Sequence, residues 1–444
     1  MDTTESTAPT GPAGSAPHVL ISGGGIAGTA LALQLVRRGI RTTVVERADA
    51  PRPGGQAVDL RGASREVAEA MGLMPGIEHH RLHEIGLAYV DGTGRVFGRM
   101  SMADFDGQGA VAEIEIARGD LNDVLLRELA DAADADPSLL ELRYGDHLVA
   151  LAQDATGVTA DFASGASERF DVVVGADGVH SATRRLAFGP EEDYATFLGG
   201  YAAFFTMPTP GDLEPGWFAM RFVPGATLGI RPDADPATSK AMLTFRIPRD
   251  PALRGDRAAQ EALAARLLAD TGWHAPTVLA AMREASDLYF DELVRIDVPD
   301  VANGRVVLIG DAGSSGSPLS GMGTATALIG AHLLAARLAE SPDDVPGALA
   351  RYSADITPFA ERGRRIPGGG IERMVPATRF GAAMSRAFTG LALSRPFRPL
   401  VRRLFTAGTG DDPALPQVPA REVRARREVP APGEVPAPGE VPAG

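Results

Sequence analysis

Six residues constrain this chain more than any others: Gly23-Gly24-Gly25-Ile26-Ala27-Gly28. They stand between an apolar run at 18–22 and a stretch with helical apolar spacing at 26–38, and a β-branched run follows at 42–46. G-x-G-x-x-G in that setting predicts a β-α-β unit that binds a dinucleotide. Gly23 permits the tight turn, Gly25 lets a pyrophosphate approach the backbone, and Gly28 lets helix and strand pack closely. The unpaired N–H groups and positive dipole end of the helix then face the phosphates. Glu46, at the end of the second strand, is placed to accept hydrogen bonds from an adenosine ribose, with Arg47 beside it.

Size and composition narrow the rest. At 444 residues the chain exceeds one ordinary core, so two lobes are expected. With 44% hydrophobic and 23% charged residues it is composed like a globular protein. No apolar run is long enough to span a bilayer, and the first residues lack a signal-peptide pattern, so the expectation is a cytoplasmic protein without membrane insertion. The absence of cysteine excludes disulfides, thiolate nucleophiles, cysteine-bound metals and a cysteine-linked flavin. A net charge of −14 argues against a nucleic-acid partner. Lys240 is the only lysine, leaving a single candidate for amine catalysis.

Along the chain, residues 1–16 read as a disordered leader. The end is Pro-rich, with EVPAPG at 428–433 repeated at 434–439. Between them, strand and helix alternate early: strands at 112–116, 140–144, 147–152, 157–162 and 169–174, and a helix at 121–132. Residues 196–247 contain strand-like runs at 201–207, 217–223 and 241–247, followed by a helix at 261–270, a buried strand at 305–309 and an apolar helix at about 325–338. Residues 348–406 are helical in pattern and rich in arginine.

Two distant motifs decide which dinucleotide. Asp177-Gly178-Val179-His180-Ser181-Ala182-Thr183-Arg184 follows the apolar run DVVVGA, and an aspartate at a strand end is well placed to bind ribityl hydroxyls. Gly310-Asp311-Ala312 follows VVLI and leads into Ser317-Pro318-Leu319-Ser320-Gly321-Met322-Gly323-Thr324 and a helix. A glycine-rich loop opening a helix can approach a flavin ring, and its N–H groups would stabilise charge on the reduced ring.

As a set, these motifs resemble the group A flavin-dependent aromatic hydroxylases, the para-hydroxybenzoate hydroxylase family, and the early segment is most similar to the tetracycline-inactivating monooxygenase branch. The resemblance covers about residues 17–340. It implies an α/β fold: a Rossmann-like FAD domain from 17–75, 105–185 and 300–342, a β-sheet substrate domain from 76–104 and 186–299, C-terminal helices at 343–410, and a disordered tail at 411–444. It implies noncovalent FAD, NADPH or NADH as cosubstrate, and oxygen transfer from a flavin C4a-hydroperoxide to a hydrophobic aromatic or polycyclic molecule. Arg118 matches the family arginine that contacts FAD, and Arg52 and Asp59 match residues lining the flavin and nicotinamide approach. Asp177, Asp311, Pro318, Gly321, Gly323 and Thr324 complete the implied cofactor set. Two motifs depart from the family pattern: Gly313-Ser314 follow Ala312 where Ala-His is usual, and Thr324 stands where asparagine is usual.

The strands at 201–222 supply candidate walls for an apolar substrate pocket, from which Tyr201, Phe205, Phe218 and Arg221 are taken. Arg231 is a further candidate for an acidic or enolic substrate. His180 is read as a surface histidine, and His79, His80 and His83 carry no metal-ligand pattern, so no metal is expected. No side chain is singled out as a catalytic base. Partners are therefore a small molecule and oxygen, in a monomer or homodimer. A reductase of isoprenoid double bonds, or a flavin-binding protein without turnover, shares these features; oxygen in the product distinguishes them.

Overall fold

The computed structural model describes residues 16–52, 54–101, 114–366, 369–394, 396–397 and 413–416. The expected leader before residue 16, the start of the 112–116 strand and nearly all of the tail lie outside these.

Two sheets organise the molecule. The first has six strands in the order Ala302–Asn303, Val306–Leu308, Val172–Gly175, Val19–Ser22, Thr42–Glu46 and Leu140–Tyr144. All neighbours are parallel except the first pair. Val19–Ser22 lies at the centre, and the chain leaves it to one side for Thr42–Glu46 and returns on the other with Val172–Gly175. Such a switch point opens a crevice at the carboxyl ends of the strands, and here Gly23–Gly28 occupies it.

The helix Ile26–Val36 (IAGTALALQLV) is apolar nearly all round, and all but one of its residues are buried. A helix with that pattern must be covered on every side. The six-stranded sheet lies beneath it, and the helices Arg118–Ala133 and Gly323–Glu340 flank it. Its polar exceptions are satisfied: Thr29 donates to the Gly24 carbonyl at 3.1 Å, and Gln34 meets His332 at 3.2 Å.

The second sheet has eight strands, ordered Ser314–Ser315, Tyr289–Asp297, Ala195–Pro208, Thr238–Arg246, Ala226–Pro232, Trp217–Val223, Gly86–Val90 and Val96–Ser101. Alternation gives it two distinct faces. Tyr201, Phe205, Leu228, Ile230, Leu243 and Phe245 pack with the helices Arg257–Leu268 and Ala275–Glu284. Ala202 and Phe204 face the other way and cluster with Met242 and Leu319. Leu319 belongs to the loop before the Gly323–Glu340 helix, so this second face looks toward the dinucleotide lobe.

Candidate active site

The glycine turn is built by steric demand. Gly23 has φ of 112°, and a Cβ there would lie 2.4 Å from the Ala176 carbonyl oxygen on the neighbouring strand. A Cβ on Gly28 would lie 1.9 Å from the Gly23 carbonyl oxygen. Gly25 caps the Ile26–Val36 helix, and a Cβ on it would meet only the Arg118 guanidinium, at 3.6 Å. That space is bounded by a cation and a helix N-terminus, a setting suited to a diphosphate. Glu46 accepts from Gly24 N–H at 2.8 Å and from Ala48 N–H at 2.9 Å. Its carboxylate thus braces the turn while retaining acceptor capacity. Arg52 approaches Glu46 at 3.8 Å but is 70% exposed, and Arg47 is exposed beside it. Gly24, Val44, Glu46, Leu142 and Tyr144 line a narrow notch at the same end.

Arg118 is positioned by backbone. Its N–H donates to the Gln56 carbonyl at 3.0 Å, and Gly119 N–H donates to the Gly54 carbonyl at 2.8 Å. Gly54 and Gly55, at φ of 75° and 92°, fold that loop over the arginine. The loop also reaches the second lobe, for a Cβ on Gly54 would lie 3.1 Å from Asp287 and 3.5 Å from the Lys240 ammonium. Lys240 donates to Thr206 Oγ1 at 2.7 Å and pairs with Asp233 at 3.0 Å. Gly54, Thr206, Lys240, Glu284, Ser286 and Asp287 are among the residues lining a cavity of about 440 Å³ between loop and sheet.

The third component is the segment 310–324. Burial pushes the Asp311 carboxyl up, opposed by the Arg118 charge and a Ser315 hydrogen bond. Pro318–Ser320 form a short 3₁₀ turn whose leading residue, Ser317, has φ of 61°, unusual for a residue with a side chain. Ser317 Oγ accepts from Leu319 N–H at 3.2 Å and helps hold the turn. Gly321, at φ of 66°, would direct a Cβ into open space, and Gly323 would meet only Asp311, at 3.5 Å. Thr324 follows in the first turn of the Gly323–Glu340 helix. A bare backbone edge beside a half-buried carboxyl suits a flat ring carrying a polyol chain. The departures at 313 and 314 have structural causes: a Cβ on Gly313 would lie 3.0 Å from Val301, and Ser314 pairs in the eight-stranded sheet opposite Asp297.

Asp177 occupies the strand end, but its carboxylate accepts from the Ser181 hydroxyl, from Thr183 N–H at 2.9 Å and from Thr183 Oγ1 at 3.0 Å. Its visible work is to hold the start of the short helix Ala182–Ala187. In the same motif the fully buried Arg184 donates to the Ala312 carbonyl at 2.9 Å, tying the two distant motifs together. Asp59 pairs with Arg61 at 2.6 Å and stands opposite Glu115 in a two-stranded ladder. Glu115 and Glu84 both meet the buried Arg231 at 2.6 Å, so Arg231 is held within the protein by carboxylates. His180, read from sequence as a surface residue, is instead gripped by Glu191 and Asp291.

The substrate-wall expectations need correction at three positions. Tyr201 and Phe205 point to the helix-covered face, where Tyr201 is 2% exposed and its hydroxyl accepts from Asp250 N–H at 2.7 Å. Arg221 lies against Gly92 and Gly272, away from the facing loop. Phe218 is on the open side, against Gly229 and beneath the Arg231 guanidinium. The residues of opposite parity on these strands, Phe204 and Met242, instead cluster with Leu319 from the facing loop. Tyr289 joins them, its ring 5.9 Å from that of Phe204 and 40% exposed. Asp311 and Arg118 both act electrostatically on Tyr289.

With this geometry in place, comparison with known proteins is decisive. An FAD binding domain family model matches residues 17–365. The chain belongs to the group A FAD-dependent monooxygenases. Within that family it is 38% identical over 360 residues to an uncharacterised protein of Mycobacterium tuberculosis (strain H37Rv), covering 79% of this chain and 94% of the relative. It is 31% identical over 348 residues to a flavin-dependent monooxygenase of Legionella longbeachae, covering 78% and 87%. Among solved structures, the tetracycline destructase Tet(55) matches with a TM-score of 0.72 at 30% identity, covering 90% of this chain and 99% of that one. As a member of this family the protein is an FAD-dependent oxidoreductase. The glycine cradle, Arg118 and Asp311 fit that cofactor.

Proposed function

We propose that this monooxygenase uses reduced nicotinamide and oxygen to hydroxylate or epoxidise a hydrophobic aromatic or polycyclic molecule. The observation that carries the reading is the apposition of Leu319, on the flavin-facing loop, with Phe204 and Met242 on the sheet. It places an apolar wall directly against the loop with the bare glycines. Bound FAD supplies hydride acceptance and oxygen activation, and the protein supplies position and dryness. Arg118 and the Gly25 helix end hold the diphosphate. Glu46 takes the adenosine ribose, and Asp311 the ribityl chain. Phe204, Phe218, Met242 and Leu319 exclude water around the substrate, while the cavity at Lys240 and Asp287 offers polar groups to the nicotinamide amide. Tet(55) is named a tetracycline destructase, which makes fused-ring phenols the first compounds to try.

The test is NADPH oxidation across a panel of tetracyclines and related polycyclic phenols under labelled oxygen. Faster oxidation together with one labelled oxygen atom in the product is expected. Substrate-dependent oxidation with no label in any product would overturn oxygenation in favour of a reductase.

A further inference from the structure

The helix Arg379–Ala392 is amphipathic in the wrong direction for a helix whose only role is to cover a core. It packs on the outer strands Trp217–Val223 and Val96–Ser101. Small residues face that contact: Thr389 approaches Gly98, and Gly390 approaches Phe97. The large apolar residues face outward instead. Phe380 is 76% exposed, Met384 58%, Phe388 71% and Leu391 58%. Their spacing of four, four and three residues puts them on one stripe. An area on the order of 500 Å² results, at the upper end for a monomer's largest apolar patch.

The sequence that carries the stripe is equally one-sided in charge. Between Glu372 and Asp411 the sequence contains seven arginines and no acidic residue, in a chain of net charge −14. Arg373, Arg379 and Arg386 are exposed, although Arg386 also pairs with Asp91 at 2.9 Å. Arg379 occupies the first position of the helix, where the macrodipole disfavours a cation, so helix stability does not account for it.

We propose that this helix seats the protein on a bilayer surface carrying anionic phospholipid headgroups. The stripe enters the boundary between headgroups and acyl chains, and Arg373 and Arg379 meet phosphate. A second copy of the chain fits less well. A two-fold contact brings a patch against itself, and arginine would then face arginine. The helix lies in the plane rather than across the bilayer: its 14 residues span about 21 Å, and among the described residues no helix is long and apolar enough to cross a membrane. Leu393, just past the helix, packs with Leu87, Met100 and Phe218. Adsorption therefore brings the Phe218 wall close to the lipid phase, from which a hydrophobic molecule could enter.

The test uses the full-length flavoprotein and flotation with vesicles of phosphatidylcholine, with or without phosphatidylglycerol. Binding is expected only to the anionic vesicles and should weaken with salt. The double variant F380S/F388S, altered at exposed positions, should keep its flavin and melting temperature while losing about tenfold or more in partitioning. Independently, F388W should blue-shift in emission on adding anionic vesicles. Absence of flotation by the parent, or equal flotation by the double variant, overturns the proposal. So does a concentration-dependent dimer in sedimentation that F380S/F388S abolishes, because the stripe would then serve a second copy.

Discussion

His180 Nε2 lies 3.1 Å from both carboxylate oxygens of Asp291, while its Nδ1 lies 3.1 Å from both oxygens of Glu191. His180 belongs to the segment that leaves the six-stranded sheet, and Asp291 to the Tyr289–Asp297 strand of the other sheet. The pair is an ionic clasp between the lobes. Hydrogen bonds to Asp291 and then Glu191 push the imidazole up to about 9, against a smaller opposing effect of burial.

A group raised in the folded state stabilises fully below its ordinary value and loses that contribution as pH rises through the shifted one. The clasp should therefore weaken from about 6.5 to about 9. Glu191, held below the usual carboxylate range chiefly by His180, has the opposite sign and loses its contribution on acidification. After allowing for partial exposure, the His180 contribution is on the order of 2 kcal/mol. H180Q should melt a few degrees lower at pH 6.5, and its melting temperature should change less between pH 6.5 and 9. Thermal denaturation of both proteins across that range checks it; parallel curves would remove the clasp.

Gly25 and Gly28 should respond differently to the same added methyl group. In G28A the new carbon would sit 1.9 Å from a carbonyl oxygen in the packed helix–strand contact, so a loss of several kcal/mol, or failure to fold, is expected. In G25A the backbone, at φ −81°, suits alanine and the methyl meets only Arg118. That variant should fold with an unchanged melting temperature as apoprotein and bind FAD about tenfold or more weakly. Flavin titration with calorimetry on both variants separates the two roles.

Phe204 and Phe205 are adjacent in sequence and opposite in consequence. F205L trims the core beneath the helices Arg257–Leu268 and Ala275–Glu284, and should cost about 1–1.5 kcal/mol with little effect on KM. F204L trims the wall facing Leu319, and should alter KM or the coupling of NADPH oxidation to product by several-fold. Steady-state kinetics beside melting curves decides; equal kinetic effects would dissociate Phe204 from the substrate.

The contrast also shows where sequence reasoning stopped. The glycine turn, the Thr42–Glu46 strand and the two distant motifs were legible because each is local: a turn, a cap or a strand end imposes its residue type within a few positions. The face of a strand is not local. Tyr201, Phe205 and Phe204 are all apolar aromatics, and only the helices packed from elsewhere in the chain decide which are covered. The strands Ala226–Pro232 and Tyr289–Asp297 escaped for related reasons. One is hemmed by proline and glycine, and the other carries Asp291 and Glu292, whose charges find partners only in the folded molecule. His180 was misread because both its carboxylates are distant or unpatterned. Gly313 departs from its family because Val301 and Leu308 leave no room, a constraint no single sequence reveals.

Glu115 offers the last prediction, because one arginine serves several carboxylates. Burial, with Glu84 and Asp59 nearby, pushes the Glu115 carboxyl up despite the attraction of Arg231. The folded protein therefore favours protonated Glu115, and stability falls as pH rises through the shifted value of about 8. E115Q keeps the shape and cannot ionise, so it should match the parent near pH 4.5 and melt progressively higher as pH rises toward 9. Removing the cation has the reverse effect. R231M leaves Glu84 buried without its partner and should cost about 3–5 kcal/mol, much of which R231M/E84Q should restore. Melting curves of the four proteins at pH 4.5 and 9 provide the check. An E115Q protein that lost stability at both pH values would mean that Glu115 is ionised in the folded state, with Arg231 outweighing burial.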